Sequence, residues 1–177
     1  MNEELINAAT ALSKTLLSQG LTVTTAESCT SGWVGSSLAA VADSSRFYSS
    51  GFITYSDRAK QRLLGVSSET LRSYTAVSEQ VVREMSEGGK QRAGDDIGIA
   101  VSGYAGPDGG EDGTPPGTVW FAWHLPGNQV HTACRQFAGS SEAVVHQATL
   151  FCLEELRRIL GDNVVAVTAK SSDRLRN

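Results

Sequence analysis

The sequence predicts a single α/β domain. Segments whose apolar residues recur at helical spacing alternate along the chain with short runs of β-branched and other apolar residues, which are typical of strands. A chain of 177 residues with 40% hydrophobic residues can fill one substantial core, and no internal repeat or linker divides it. We expect the domain to span residues 1–161, followed by a partly flexible C-terminal tail at 162–177.

The first part of the chain predicts helices and strands in alternation. Apolar residues at helical spacing follow Asn2, a potential cap, and end at Gly20, whereas the next segment is rich in β-branched residues. The predicted elements are, in order, a helix from Asn2 to Gly20, a strand at 21–26, a helix at 32–42, a strand at 47–56 and a short helix at 57–64 capped by Ser56 or Asp57.

The second part predicts two further helices, a buried strand, a hairpin and a last helix. The buried strand is short and almost wholly apolar, and the hairpin strands alternate around a Pro-Gly-Asn turn. The predicted elements are a helical turn opened at Ser67 and Ser68, a longer helix from Ser78 through about Gln91, strands at 96–102, 118–124 and 130–137, and a last helix capped at 139–142 and ended by Gly161.

The first hairpin strand is aromatic. Trp120 and Trp123 fall on opposite faces of that strand, so at least one of them is expected in the core. The apolar face that includes Phe121 belongs either to the core or to an interface between copies of the chain. We expect a homodimer or a higher homo-oligomer.

Composition excludes several classes of function. No stretch approaches the roughly 20 apolar residues of a membrane span, and the acidic N-terminus lacks a signal-peptide pattern, so we expect a cytoplasmic protein without a membrane partner. A net charge of −4 with scattered basic residues opposes general nucleic-acid binding. Three cysteines at unrelated spacings indicate neither disulfides nor a zinc site. A small-molecule partner fits best.

The most distinctive segment runs from Thr24 to Gly32 and places Ser28 at a predicted strand–turn–helix corner. None of the three histidines stands in a comparable turn motif, so the usual base for a serine nucleophile is missing. Lys60, downstream in Tyr55–Lys60, is the alternative base. A Ser–Lys pair is therefore a candidate catalytic pair, although Lys60 could equally be an ordinary charged residue of a solvated helix.

Lys60 has local reasons to lose its proton near neutral pH, well below the pKa of about 10.4 of a free lysine. The first turn of the predicted helix puts it near the positive end of the helix dipole, and Arg58 and Arg62 add positive charge nearby. Tyr55 stands at the end of the apolar run 52–54, beside that turn. Its phenol could pass a proton or orient the lysine.

The residues around Ser28 have a chemical and a structural interpretation. Free backbone N–H groups at the helix start could stabilise an oxyanion, whereas the serines and threonine of the turn could simply cap the helix. Glu27 could orient the site, bind a substrate hydroxyl or cap the same helix. Cys29 is expected to be a small buried residue that supports the turn. The candidate substrate-binding residues here are Glu27, Thr30, Ser31 and Gly32.

A second distinctive segment, residues 103–117, holds six glycines and three prolines in fifteen residues. That composition is incompatible with a helix or a strand, and glycines let a backbone approach a ligand closely. The loop could bind a ligand or merely connect strands; its three acidic residues oppose a phosphate nest, and it lacks the nucleotide P-loop pattern. The candidate binding residues are Ser102, Gly103, Gly106, Pro107, Asp108 and Gly109, with His146 near the start of the last helix.

Three ordered motifs, Thr24–Gly32, Gly51–Lys60 and Ser102–Gly117, together with the terminal helix, resemble the CinA C-terminal domain family over residues 5–161. Members include stand-alone nicotinamide-nucleotide amidases, which hydrolyse nicotinamide mononucleotide to nicotinate mononucleotide and ammonia. The resemblance implies a three-layer α/β/α sandwich around a mixed sheet. It also implies metal-independent hydrolysis without a cofactor, in which Ser28 is the nucleophile, Lys60 the base and Tyr55 its partner.

The chain departs from the pattern of active members at several positions. Ser31 stands where they have the first glycine of Thr-Gly-Gly, and Tyr104 replaces a smaller aliphatic residue. Active members carry Gly-Asp-Arg and a further arginine at the start of the last helix, where this chain has Ser140, Ser141 and Val145. Arginines at a helix N-terminus are the bidentate partners that a nucleotide phosphate prefers.

Three hypotheses follow from these similarities and departures. The chain is a nicotinamide-nucleotide amidase in which Arg83, Arg135 or His146 replaces the missing cations. Alternatively, it is an amidohydrolase with the same chemistry on a less anionic amide. The third hypothesis is a catalytically silent binding or regulatory paralogue.

Overall fold

The computed structural model describes residues 2–174, and the side chains of residues 2–161. Within that range the chain forms six α-helices, five β-strands and two short 3₁₀ turns. The helices and strands are α1 Glu3–Gln19, β1 Val23–Glu27, α2 Trp33–Ala39, β2 Tyr48–Ile53, α3 Asp57–Leu64, α4 Ser68–Tyr74, α5 Glu79–Ala93, β3 Ile97–Gly103, β4 Thr118–His124, β5 Val130–Gln136 and α6 Ser141–Arg174.

The five strands form one mixed sheet in the order β2-β1-β3-β4-β5. β1 is parallel to β2 and to β3, whereas β4 and β5 are antiparallel. Glu27, the last residue of β1, pairs with Ile53 on one side and with Val101 on the other. The carboxyl ends of the three parallel strands therefore meet at one edge of the sheet, where ligands bind in open α/β folds.

Helices cover both faces of the sheet, which confirms the predicted three-layer α/β/α sandwich. One core lies beneath α1, α2 and α6 and includes Leu12, Leu38 and Leu153. The other lies beneath α3, α4 and α5 and includes Leu64 and Met85. Burial of these apolar side chains, at about 25 cal/mol per Å², is the main favourable term in folding.

The alternation of the strands decides which side chains meet at the carboxyl edge. Ala26, Phe52 and Ala100 pack in the core beneath α3 and α5. Since successive residues of a strand point to opposite faces, the residues two further along point to that same side. They are Ser28, Thr54 and Ser102.

The predicted caps set the helix boundaries. Asn2 Oδ1 accepts the N–H of Glu4 at 2.9 Å, and Ser56 Oγ accepts the N–H of Ala59 at 3.2 Å. Gly20 ends α1 in the left-handed conformation, with φ 64°. Each cap satisfies backbone groups that the helix leaves unpaired, so short polar side chains and glycine mark these boundaries in the sequence.

The structure corrects the prediction for the last helix. α6 continues through Gly161 to Arg174, because a glycine inside a helix lowers its stability without breaking a hydrogen bond. The flexibility predicted for 162–177 concerns residues whose side chains lie outside the described range.

The hairpin aromatics lie in the core. Phe121 and Trp123 are buried beneath α6, and Trp120 packs against the opposite core, so the two tryptophans occupy opposite faces as predicted. Phe121 and Trp123 are therefore core residues, whereas Trp120 is partly exposed, and the expected homo-oligomer stays a prediction. Within the described chain, no helix combines the length and the hydropathy needed to cross a bilayer.

Candidate active site

The structure brings Ser28 and Lys60 together. Ser28 follows β1, and Lys60 lies in the first turn of α3 with its side chain directed back toward the sheet. Lys60 Nζ lies 3.1 Å from Ser28 Oγ, within hydrogen-bonding distance. Only 1% of Lys60 and 7% of Ser28 is exposed. The pair is therefore a buried amine in contact with a hydroxyl, which is the arrangement that a Ser–Lys nucleophile requires.

Two main-chain carbonyl groups fix the position of the amine. Lys60 Nζ donates to the Thr54 oxygen at 2.9 Å and to the Tyr55 oxygen at 3.3 Å. A neutral amine has two N–H groups and one lone pair, so both N–H groups can be used by the carbonyls. The lone pair is then free to accept the hydroxyl proton of Ser28.

Burial lowers the pKa of Lys60 from its ordinary value, because the charged form loses its hydration. The carboxylate of Asp57 and the thiol group of Cys29 act in the opposite direction and raise it. Desolvation is the largest of these influences, so the environment favours the neutral amine relative to a lysine in water.

The phenol of Tyr55 does not reach this pair. The residue is 72% exposed, and only its main-chain oxygen contacts Lys60. Tyr55 lies beside Lys60 as predicted, but the contact is made by its main-chain oxygen and not by its phenol. A role for the phenol as a proton carrier has no support in this arrangement.

Glu27 organises the start of α2. One carboxylate oxygen accepts the Thr30 hydroxyl at 2.7 Å and the N–H groups of Gly32 and Val34 at 3.0 and 3.1 Å. The other accepts the N–H of Gly35 at 2.8 Å. Glu27 is 1% exposed. Of the three interpretations left open by the sequence, the geometry corresponds to helix capping, and both oxygens are occupied.

Within the described chain, two amide groups in the turn after Ser28 make no hydrogen bond to an oxygen and face only the Cys29 sulfur. The Ser31 N–H donates to the Ser28 carbonyl at 3.1 Å, and the Trp33 N–H donates to the Thr30 carbonyl at 2.9 Å. The N–H groups of Cys29 and Thr30 donate to no oxygen among the described residues. They adjoin the nucleophile, where an oxyanion would develop.

The backbone of this turn is left-handed at two successive residues. Ser31 has φ 45° and is exposed, and Gly32 has φ 97°. A Cβ on Gly32 would lie 3.1 Å from Ile53 Cδ1. Gly32 therefore allows the chain to turn closely beside the end of β2, and the side chain of Ser31 projects outward.

Cys29 is not a competing nucleophile. Burial raises the pKa of its thiol to about 12, although the surrounding backbone N–H groups and Lys60 lower it. A thiol with that pKa is uncharged near neutral pH, and the thiolate is the reactive form. In the described part of the chain, no group of three His, Cys, Asp or Glu side chains is arranged to hold a metal ion.

Ser102 lies on the same side of the sheet as Ser28, and its hydroxyl links β3 to the segment between α4 and α5. It is 1% exposed, and its hydroxyl donates to the Ala76 carbonyl at 2.7 Å. Gly103 follows in close contact with β4, since an added Cβ would lie 2.7 Å from the Thr118 oxygen. These two residues build the edge of the sheet beside Ser28.

The glycine-rich loop forms one wall of a cavity of about 680 Å³ together with the start of α6. Gly106 precedes a cis peptide bond to Pro107, and a Cβ on Gly106 would lie 3.6 Å from Ser141 Oγ. Asp108 is exposed, and a Cβ on Gly109 would overlap the Thr114 oxygen. The loop is thus a compact structure that contributes Gly106 and Pro107 to the cavity.

His146 lies at a different cavity, of about 730 Å³, between the starts of α1, α2 and α6. Its Nε2 is 3.4 Å from a carboxylate oxygen of Glu4. Trp33 lines this cavity, whereas Ser28 and Lys60 do not. The structure therefore separates His146 from the Ser–Lys pair.

The carbonyl of Thr54 and the contact between Ser102 and Ala76 were not predicted from the sequence. Both involve main-chain oxygens, which every residue carries, so no residue type indicates them. The one available sequence signal was the position of Thr54, at the end of a predicted strand and six residues before Lys60.

Comparisons with known sequences identify the family of the chain. A family model described as the CinA C-terminal domain matches residues 6–160. Protein YdeJ of Escherichia coli is 50% identical over 154 residues, covering 87% of this chain and 89% of that protein. The nicotinamide-nucleotide amidohydrolase PncC of the same organism is 43% identical over 155 residues, covering 88% and 94%.

Solved structures show the same fold. A competence-damaged protein (CinA) superfamily protein from Klebsiella pneumoniae superposes with a TM-score of 0.88 at 48% identity, covering 92% of this chain and 99% of that one. The competence/damage inducible protein CihA from Agrobacterium tumefaciens gives 0.85 at 32% identity, covering 91% and 98%.

Proposed function

The chain belongs to the CinA C-terminal domain family, and from this premise we propose that it is a nicotinamide-nucleotide amidase-like hydrolase. It would convert nicotinamide mononucleotide to nicotinate mononucleotide and ammonia by a Ser–Lys mechanism. The observation that carries the proposal is the buried contact of 3.1 Å between Lys60 Nζ and Ser28 Oγ. Relatives named nicotinamide-nucleotide amidohydrolase, at 41% to 49% identity, support the reaction class.

In the first half of the reaction, Ser28 Oγ attacks the carboxamide carbon while Lys60 Nζ accepts the hydroxyl proton. The new C–O bond converts the carbonyl oxygen into an oxyanion. The N–H groups of Cys29 and Thr30, which donate to no oxygen among the described residues, adjoin Ser28 and are the backbone donors nearest to that oxyanion.

In the second half, the C–N bond breaks and Lys60 returns its proton to the departing nitrogen, which leaves as ammonia. The substrate remains joined to Ser28 as an ester. Lys60 then takes a proton from water, the resulting hydroxide attacks the ester carbon, and the carboxylate product leaves as Ser28 recovers its proton. One water is consumed for each amide cleaved.

The direct test measures release of ammonia and nicotinate mononucleotide from nicotinamide mononucleotide by the purified protein without added metal. We expect Ser28→Ala to abolish release, and Lys60→Met to reduce it by at least about 100-fold, the contribution of a positioned general base. Full activity of Ser28→Ala would contradict the mechanism.

Matched controls are available away from the site. Ser86 is a buried serine whose hydroxyl donates to the Arg83 carbonyl at 2.9 Å, and Lys90 Nζ donates to the Leu125 carbonyl at 2.9 Å. Ser86→Ala and Lys90→Met remove the same chemical groups from α5. They should retain activity as long as they fold.

A second candidate is an amidohydrolase for a less anionic amide. It is favoured because each cation that was proposed to bind phosphate already lies beside another side chain. Arg83 pairs with Glu79 at 2.8 Å, and Arg135 lies 4.6 Å from the ring centre of Phe151. His146 lies beside Glu4. Nicotinamide riboside, which lacks the phosphate, should be cleaved at least as well as the nucleotide under this alternative. A folded protein that cleaves neither would correspond to the silent paralogue.

A further inference from the structure

Thr75 has an unfavourable backbone conformation for its residue type. It follows α4 with φ 63° and ψ 168°, a region that is occupied almost only by glycine. β-Branched side chains are especially disfavoured at positive φ. Asp43 also has a positive φ, but with ψ 19° it lies in the left-handed helical region that aspartate tolerates.

Hydrogen bonds on both sides hold this conformation. The Thr75 N–H donates to the Leu71 carbonyl at 3.0 Å, and the Thr75 carbonyl accepts the Ser78 hydroxyl at 2.9 Å. The next carbonyl, of Ala76, accepts the buried Ser102 hydroxyl at 2.7 Å. The surrounding structure therefore imposes the strained geometry, and glycine would adopt it at lower cost.

The side chain of Thr75 adds a second unfavourable feature. Its Oγ1 is closed off from solvent and has no hydrogen-bond partner among the described residues. A buried hydroxyl without a partner is destabilising, and such groups call for an explanation. Strain and an unpaired hydroxyl thus occur together at one residue.

Hydrogen bonds through β3 link the chain next to Thr75 to the corner of the sheet that carries Ser28. The Ser28 N–H donates to the Val101 carbonyl at 2.9 Å, so Ser28 adjoins the end of β3 at Ser102. The Ser102 hydroxyl contacts Ala76, which directly follows Thr75. The α4–α5 connection, residues 75–78, therefore borders the same corner of the sheet that α3 borders with Lys60.

We propose that Thr75 is a substrate-binding residue whose hydroxyl takes its hydrogen-bond partner from the bound amide. The inference rests on the proposed function, because it assigns the hydroxyl to the substrate of the Ser28 site. Since Oγ1 is closed to solvent in the free protein, binding includes a shift of the α4–α5 connection. The strained backbone of Thr75 favours that shift.

Three substitutions separate the hydroxyl from the strain. Thr75→Ala removes the hydroxyl and keeps a side chain at positive φ, and Thr75→Ser keeps the hydroxyl. Thr75→Gly removes both the hydroxyl and the strain, and its Tm should rise by about 2–12 °C. We expect KM for the amide to rise about 2- to 12-fold in the alanine and glycine variants, with kcat nearly unchanged and with KM restored in the serine variant.

A second measurement is independent of the substrate. Phenylmethanesulfonyl fluoride reacts with a nucleophilic serine by forming an O–S bond and releasing fluoride, and its sulfonyl oxygens can accept a hydrogen bond as an amide does. The labelling rate of Ser28, followed by protein mass, should fall about 2- to 12-fold in Thr75→Ala and Thr75→Gly but not in Thr75→Ser.

The control is Asn128→Gly, which replaces another residue at positive φ, 57°, in the β4–β5 turn. That turn lies at the opposite edge of the sheet, and neither KM nor labelling should change. Unchanged KM and labelling in all three Thr75 variants would overturn the inference and leave the proposed function standing. A wild-type protein that neither cleaves amides nor labels at Ser28 would overturn both.

Discussion

Replacing Glu27 by glutamine tests whether the turn that carries Ser28 depends on a buried carboxylate. The substitution keeps the size and shape of the side chain but replaces one acceptor oxygen by a donor NH₂ group. If the remaining oxygen keeps the three contacts with Thr30, Gly32 and Val34, the NH₂ group faces the N–H of Gly35.

The expected cost follows from those contacts. One buried N–H loses its acceptor, which costs about 1–3 kcal/mol, and three hydrogen bonds to a charged group become weaker neutral ones. The sum is about 2–5 kcal/mol. For a protein of this size, the corresponding decrease in Tm is about 4–20 °C.

The assay is urea denaturation followed by circular dichroism, with ammonia release measured on the same preparation. Glu69→Gln is the control, because Glu69 is an exposed carboxylate in the first turn of α4. It should change the free energy of unfolding by less than about 0.5 kcal/mol. A Glu27→Gln protein whose free energy of unfolding lies within that margin of the wild type would refute the assignment of Glu27 as the residue that caps the start of α2.

Two other predictions concern Lys60 and the helix that carries it. The pKa of Lys60 is lower in the folded chain than its ordinary value of 10.5. Between those two pKa values the unfolded chain binds more protons than the folded chain, so the free energy of unfolding should rise with pH. In Lys60→Met, urea midpoints measured against pH should lack this rise. A Cβ on Gly88 would overlap the main-chain oxygen of Leu64, so Gly88→Ala should push α3 from α5 and lower both Tm and amidase activity. Gly161→Ala, with open space at its Cβ, should leave activity unchanged; equal Tm values for the two variants would contradict the close packing of α3 on α5.

Local chemistry explains why much of the fold could be predicted from the sequence. The caps at Asn2 and Ser56 act within three residues, and the aromatic and β-branched residues of β4 favour a strand locally, although β4 is buried on both faces and does not alternate as predicted. The strand order is different, because pairing of β1 between β2 and β3 depends on contacts between distant segments. The family resemblance implied only a three-layer sandwich around a mixed sheet, and the strand order was not predicted.

The candidate site also combines features that residue types predict with features that depend on distant contacts. Ser28 and Lys60 could be selected by residue type and by their position at helix starts, and the structure places them in contact. The orientation of the Tyr55 phenol and the four contacts of Glu27 depend on the path of the backbone, which no spacing rule gives. Thr75 shows this most clearly, because a threonine carries no indication that its φ will be positive.

Two main-chain carbonyl groups hold Lys60 Nζ, and one of them belongs to Tyr55, whose side chain projects into solvent. Any amino acid at residue 55 supplies the same oxygen, so the contact between Lys60 and Ser28 does not depend on the side chain there. A saturation library at residue 55 can therefore change the surface around the site while Lys60 keeps its position.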